Sequence, residues 1–275
     1  MLVNLTEILK IAEEKKIAIG AFNTPNMTSA RAIIGAAEEL GQPVIIMHAQ
    51  VHEEMGLCAM DEVAPMMLGF AKKAKVPVCV HLDHGTDLDY VKRGLELGFT
   101  SVMYDGSVLS KEENIANTKI AVELAKKKGA SVEAEIGSMG AREGGGVDGS
   151  SIYTDPDEAA EFVAATGIDA LACAFGTAHG FYKDTPKLDF ERLSKIYSNI
   201  DVPIVMHGGS GVSEEDYREV IKRGVRKVNY YTYMAKEGGE AISGKTYSQL
   251  HDALIDAQKA MQENVKKAIT VFSNL

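Results

Sequence analysis

Eight short apolar or β-branched runs alternate with longer stretches of helical period along the chain, and this alternation restricts the fold more than any other feature. Strands are expected near 17–23 (IAIGAFN), 44–49 (VIIMHA), 78–83 (VCVHLD), 101–105 (SVMYD), 131–135 (SVEAE), 170–175 (ALACAF), 204–208 (IVMHG) and 227–231 (KVNYY). Helices are expected over 27–40, 61–75, 88–97, 111–128, 156–166, 190–197 and 214–223. Several end at a glycine that can turn left-handed before the next strand, as in ELGQPV, ELGFTSV, KKGASV and ATGIDAL. Eight βα units in 275 residues fit an α/β fold of the (β/α)8 TIM-barrel type better than an open doubly wound sheet. No linker or low-complexity stretch divides the chain, so residues 1–275 read as a single domain. The amphipathic C-terminal segment 250–272 is expected to close its apolar face over its own barrel.

Lys and Arg number 29 against 39 Asp and Glu, a formal net charge of −10. Nucleic acid and anionic membranes both demand a positive surface, so neither is an expected partner. Charges interrupt every apolar stretch well before the ~18 residues a bilayer-spanning helix needs. The N-terminal MLVNLTEILKIAEEKK lacks the layout of a secretory signal, which makes the cytoplasm the expected location. Cys58, Cys79 and Cys173 are odd in number and widely spaced, and read as buried reduced thiols.

Active sites of such barrels collect at the C-terminal ends of the strands. Those ends carry Asn23, His48, Asp83 with His84, Asp105, Glu133 with Glu135, His207 and Asn229, with His179 just beyond strand six. Three imidazoles converging on one mouth, with carboxylates between them, suit a divalent transition metal such as Zn2+ that keeps a position open for substrate. A strand histidine is often a hydrogen-bonded core or rim residue, and His48 and His81 are read so. A phosphate signal stands apart from this set. HGGSGV (207–212) precedes the helical run SEEDYREVIKRG and would present backbone N–H groups at a helix N-terminus, where barrels commonly hold phosphate. GTAHG (176–180) with Lys183 offers a second glycine-rich turn and a cation.

Taken in order, GAFN, HLDHG, YDGS, VEAEIG, GTAHGFYK, HGGSG and KVN resemble the class II, metal-dependent ketose-bisphosphate aldolases, the family of the fructose- and tagatose-bisphosphate aldolases. The resemblance covers nearly the whole chain. It implies metal ligands at His84, His179 and His207, with Glu135 as a further carboxylate near the metal. It implies that Asp83 is the catalytic aspartate and that Glu143, in the glycine-rich MGAREGGGVDG, is a catalytic glutamate. Phosphate would be held by backbone near Gly180, Gly209, Ser210, Tyr231 and Thr232 and by the Lys183 side chain. Asn229 would hydrogen-bond the substrate, and the carbonyls of Gly180 and Gly208 would form a monovalent-cation site for Na+ or K+. A homodimer or homotetramer acting in carbohydrate metabolism, glycolysis included, is the implied setting.

The implied chemistry is coherent. Cleaving the C3–C4 bond of a ketose 1-phosphate or 1,6-bisphosphate to dihydroxyacetone phosphate and an aldehyde leaves an enediolate whose charge a Lewis acid stabilises. Asp83 would take the C4 hydroxyl proton and Glu143 would protonate the enediolate carbon.

The chain departs from the family at the aldehyde end. It reads NYYTY after strand eight, where the family usually has NVNTE or NIDTD, and has Ala49 where Ser or Thr is frequent. The arginine that commonly meets a distal 6-phosphate has no counterpart in the C-terminal segment, where Lys245, His251 and Lys259 are the candidates. Tyr231, Tyr233, His48 and His52 would make a rim suited to a hydroxyl- or carboxylate-bearing tail. Two alternatives stand beside the metal enzyme. A Schiff-base aldolase needs a lysine pointing into the barrel, and none is expected at the strand ends, Lys227 lying at the start of strand eight. A noncatalytic sugar-phosphate-binding barrel would be marked by loss of a ligand or acid, and none is lost.

Overall fold

A computed structural model describes residues 1–137, 153–178, 180 and 186–275. The chain opens with a two-residue strand β1 (Leu2–Val3) and helix α1 (Leu5–Lys15). From there strands and helices alternate: β2 (Ile19–Asn23), α2 (Met27–Leu40), β3 (Val44–Ala49), α3 (Gln50–Glu54), α4 (Met60–Lys73), β4 (Val78–Gly85), α5 (Leu88–Leu97), β5 (Ser101–Tyr104), α6 (Lys111–Lys126) and β6 (Ser131–Ile136). Beyond the undescribed 138–152 come α7 (Pro156–Thr166), β7 (Ala170–Cys173), α8 (Phe190–Asn199), β8 (Ile204–Met206), α9 (Glu214–Lys222), β9 (Val225–Tyr230), α10 (Thr232–Ile242) and α11 (Leu250–Phe272). Strands β2 to β9 pair in parallel, each with the next, and β9 returns to β2. This is the expected closed eight-stranded α/β barrel, with β1 added in parallel at the foot of β4.

Side-chain parity divides the core into two. Phe22, Ile46, Val80, Leu82, Val102, Ala134, Leu171, Ile204, Met206 and Val228 face outward against the ring of helices. Ile19, Ala21, Ile45, Met47, Cys79, Ala170, Ala172 and Val205 point inward and pack on Leu5, Ile8, Leu9 and Ala12 of α1. Helix α1 therefore plugs the barrel floor. It is nucleated by a capping box in which Asn4 and Glu7 satisfy one another's backbone N–H groups. With the lower interior filled by apolar side chains, only the upper inward positions can carry polar ones.

Gly41, Gly98 and Gly167 end α2, α5 and α7 in the left-handed conformation, as their positions after each apolar run suggested. Strand β2 starts at Ile19, two residues into the apolar run 17–23, because the Ala18 N–H is taken by the carbonyl of Phe272 at 2.9 Å. Helix α11 buries Ala257, Met261, Val265, Ala268, Ile269 and Phe272, and the Phe272 ring meets Tyr217 at 4.9 Å. The C-terminal segment thus closes its own barrel as expected. All three cysteines are buried and free. Among the described residues no helix is long and apolar enough to cross a membrane.

Candidate active site

The inward row of each strand turns from apolar at the floor to polar at the mouth: Cys79, His81, Asp83 on β4, Glu133 and Glu135 on β6, Val205 then His207 at the end of β8, and Lys227 then Asn229 on β9. Strand β4 ends irregularly. Its register against β5 slips between Leu82 and Gly85, and His84 within the slip has a φ of 48°. A non-glycine residue held left-handed at a strand end stores strain, which such sites tolerate where a side chain must be re-aimed. Here it turns consecutive residues, Asp83 and His84, toward the same mouth.

The His84 Nε2 and His207 Nδ1 atoms lie 3.0 Å apart. Each ring is tied at its other nitrogen: His84 Nδ1 donates to Asp105 Oδ2 and His207 Nε2 to Glu133 Oε1, both at 2.8 Å. Carboxylates accept only, so His207 carries its proton on Nε2 and offers Nδ1 as an acceptor, and the protonated His84 ring donates to it through Nε2. Asp83 Oδ1 is 4.0 Å from His84 Nε2, and Glu135 Oε2 is 3.5 Å from His207 Nδ1. That Glu135 oxygen is buried without a hydrogen-bond donor. Two sets, Asp83 with His84 and His207, and His84 with Asp105 and Glu135, each bring one ligand atom per residue within 4.8 Å of one another. Convergent imidazole nitrogens, which a metal can take in place of the proton between them, plus an orphaned carboxylate oxygen match the donor chemistry of a divalent transition metal.

The electrostatics agree. Burial works against a charge on His84, yet the carboxylates of Asp83, Asp105 and Glu135 prevail and push its pKa up to about 10. Burial, together with Asp105, raises Glu135 well above the usual carboxylate range. The Asp83 carboxyl, which burial alone would push up, is held far below that range by His84, His207 and Lys227. So dense a negative field favours bound positive charge.

Asp83 is gripped from two sides. Asn23 Nδ2 donates to its Oδ2 at 3.1 Å and Asn229 Nδ2 to its Oδ1 at 3.0 Å. Asn23 and Asn229 stand at the tops of the paired strands β2 and β9. Gly180, Gly208, Gly209, Ser210, Asn229, Tyr231 and Thr232 line one pocket with Asn23, Asp83 and His84. At Gly208, φ is 63° and a Cβ would sit 2.2 Å from the Ala178 carbonyl oxygen, so only glycine lets the loops after β7 and β8 approach this closely. Helix α10 begins at Thr232 with no side-chain cap, and its N-terminus faces the pocket, the kind of helix end at which anions are held. Two of the suggested amides already donate: Gly209 N–H to Asn229 O at 3.2 Å and Tyr231 N–H to Ser210 Oγ at 3.1 Å. His179, Lys183 and Glu143 lie outside the described residues.

His81 and His48 serve the packing. His81 Nδ1 pairs with Ser101 Oγ at 2.8 Å, and His48 Nε2 pairs with the Tyr90 hydroxyl at 2.9 Å. The expectation that His48 forms part of the rim is corrected, because it is 1% exposed and packed between Tyr90 and Phe99. His52 does reach an outer cleft, against the Tyr231 ring at 5.0 Å. A second correction concerns Lys227. It shares the inward face with Asn229, is fully buried, and lies with its Nζ 2.9 Å from Glu133 Oε2. A lysine does point into the barrel, then, but ion-paired to a carboxylate. Asn23, Asp105, Glu133 and Lys227 are the site members to which sequence reading assigned no role. The alternation of β6 and β9 placed Glu133 and Lys227 on the inward rows, and only the pairing of those rows across the barrel reveals their partners.

Residues 3–275 match the family described as fructose-bisphosphate aldolase class-II. The chain is 37% identical over 278 residues to the fructose-bisphosphate aldolase of Staphylococcus aureus, covering 98% of this chain and 97% of that one. It is 41% identical over 245 residues to the probable fructose-bisphosphate aldolase of Bacillus subtilis, covering 88% and 85%. The crystal structure of the YdjI aldolase from Escherichia coli K12 superposes with a TM-score of 0.90 at 34% identity over 99% of this chain and 97% of that one. With a match of this length and identity, the chain belongs to the class-II fructose-bisphosphate aldolase family, whose members are lyases.

Proposed function

We propose that the protein reversibly cleaves a ketose 1-phosphate or 1,6-bisphosphate between C3 and C4, giving dihydroxyacetone phosphate and an aldehyde, with Zn2+ as its metal. The facing ring nitrogens of His84 and His207, each ring held from its far side by a carboxylate, carry this reading. His84, His207 and Glu135 would hold the metal together with His179, and in the family the metal supplies the Lewis acidity that stabilises the enediolate. Asp83, ionised and clamped by Asn23 and Asn229, is oriented to accept the C4 hydroxyl proton. Glu143 returns a proton to the enediolate carbon. The 1-phosphate sits against Gly180, Gly208, Gly209, Ser210, Tyr231 and Thr232, with Lys183 reaching it, and the carbonyls of Gly180 and Gly208 hold Na+ or K+. The single-domain enzyme works in the cytoplasm as a homodimer or homotetramer, in carbohydrate metabolism.

An outer cleft of about 410 Å3 shares Gly180, Tyr231 and Thr232 with the catalytic pocket and continues along His52, Met55, Leu57, Ala235 and Lys236. Among the described residues its lining is largely apolar and includes no arginine; the one cation among them, Lys236, has Glu240 3.5 Å away. This supports an aldehyde tail lacking a terminal phosphate, since a dianion gains little without a bidentate partner. Chelator treatment followed by Zn2+ addition tests the metal mechanism: activity should be lost and regained. Covalent trapping by borohydride in the presence of substrate would instead establish a Schiff base on lysine.

A further inference from the structure

We propose that Lys227 is a positioning residue that sets the polarity of two active-site side chains at once: through Glu133 it fixes the tautomer of His207, and through Asn229 it turns the correct face of the amide to Asp83. The proposal deepens the reading of the site as a metal-dependent aldolase. Lys227 and Glu133 are fully buried beneath the pocket. The Lys227 ammonium donates to Glu133 Oε1 at 3.2 Å and to Asn229 Oδ1 at 2.8 Å.

An ammonium group has donors and no acceptor. Asn229 can meet it only with Oδ1, so Nδ2 is the atom that turns to Asp83 Oδ1, at 3.0 Å. Reversed, the amide would set its own oxygen against the carboxylate and release Asp83 from one of its two holds. The same logic runs the other way through Glu133. A carboxylate accepts and cannot donate, so His207 must carry its proton on Nε2, 2.8 Å away, and present Nδ1 as a lone pair toward His84. Neutral side chains could hydrogen-bond in either sense. The buried ion pair removes that ambiguity at two steps of one chain that runs from His207 through Glu133, Lys227 and Asn229 to Asp83. A buried pair is retained here for orientation, because apolar replacements of similar volume are often no less stable.

Lys227→Met alone leaves Glu133 a buried charge without its partner and can fail to fold. The deciding variant is therefore Lys227→Met with Glu133→Gln, which removes both charges. Three readouts are taken beside wild type: the His207 tautomer by 15N NMR of the metal-free protein, Zn2+ affinity by chelator competition, and kcat and KM on a ketose 1,6-bisphosphate at saturating Zn2+. Wild type should show a single Nε2–H tautomer. The double variant should lose it, bind Zn2+ about 10–100-fold more weakly, and keep KM while kcat falls about tenfold or more. A wild-type His207 protonated on Nδ1 overturns the proposal, as does a folded double variant with unchanged tautomer, affinity and kcat. A wild type with the Nε2–H tautomer that binds no Zn2+ ends the metal reading of the site, while the tautomer control stands.

Discussion

The imidazoles of His84 and His207 meet nearly edge to face, with ring centroids 4.6 Å apart and planes at 82°. They come from the ends of β4 and β8, on opposite sides of the barrel, so their contact spans 123 residues of sequence. Replacing either by Ala should remove most bound metal and nearly all turnover, and His179→Ala should do the same. Metal content by elemental analysis, read beside activity, checks this. Full metal and full activity in any two of the three variants would refute the site.

Asp83→Ala separates chemistry from binding. The variant should fold and retain metal, because His84 and His207 keep their own carboxylate partners Asp105 and Glu133. Turnover should fall by about 10²–10⁴, the usual contribution of a positioned acid or base. Glu143→Ala should show a similar loss and, in addition, slow exchange of the dihydroxyacetone phosphate C3 methylene proton with solvent. Exchange at the wild-type rate in that variant would assign the proton to another group.

Substrate choice is decided by comparing kcat/KM for a ketose 1-phosphate and its 1,6-bisphosphate. The apolar outer cleft along Met55, Leu57 and Ala235 leads us to expect little gain from the 6-phosphate. A bisphosphate preference of about a hundredfold, equivalent to roughly 2.7 kcal/mol, would show that a cation supplied from elsewhere meets the distal group.

Arg226, 2% exposed, donates to the carbonyls of Ile221 and Val225 and pairs through Nε with Glu13 of the floor helix. Burial raises the Glu13 pKa, but the hydrogen bonds and charges of Arg226 and Lys16 together outweigh it and bring it down to about 2 from an ordinary 4.5. A carboxyl whose folded pKa is depressed stabilises above its unfolded value, and that contribution is lost as pH falls through the folded one. Glu13→Gln should therefore cost about 1 kcal/mol at pH 7, the modest figure reflecting solvent access to Glu13, and the gap should shrink below about pH 4.5. Thermal melts of both proteins at pH 7 and pH 3 test this; a gap of equal size at both would mean that the charge is not its source.

The barrel was legible in the linear chain because strands and helices bury their apolar faces with different periods, and because glycines at positions such as 41, 98 and 167 mark where helices must stop. The inward facing of Asp83, Glu135, His207 and Asn229 followed from the same period-two rule. Helix α1 as the floor plug was not legible, since an amphipathic segment does not announce which surface its apolar face will cover. Nor were the roles of Asp105, Glu133, Lys227 and Asn23. Each acts on a side chain from another strand, across 21 residues for Asp105 and His84 and across 94 for Lys227 and Glu133. Residue type and local pattern determine which face a side chain takes. Which partner it meets there depends on closure of the sheet and on the register between strands, and the slip that re-aims His84 exists only in that pairing.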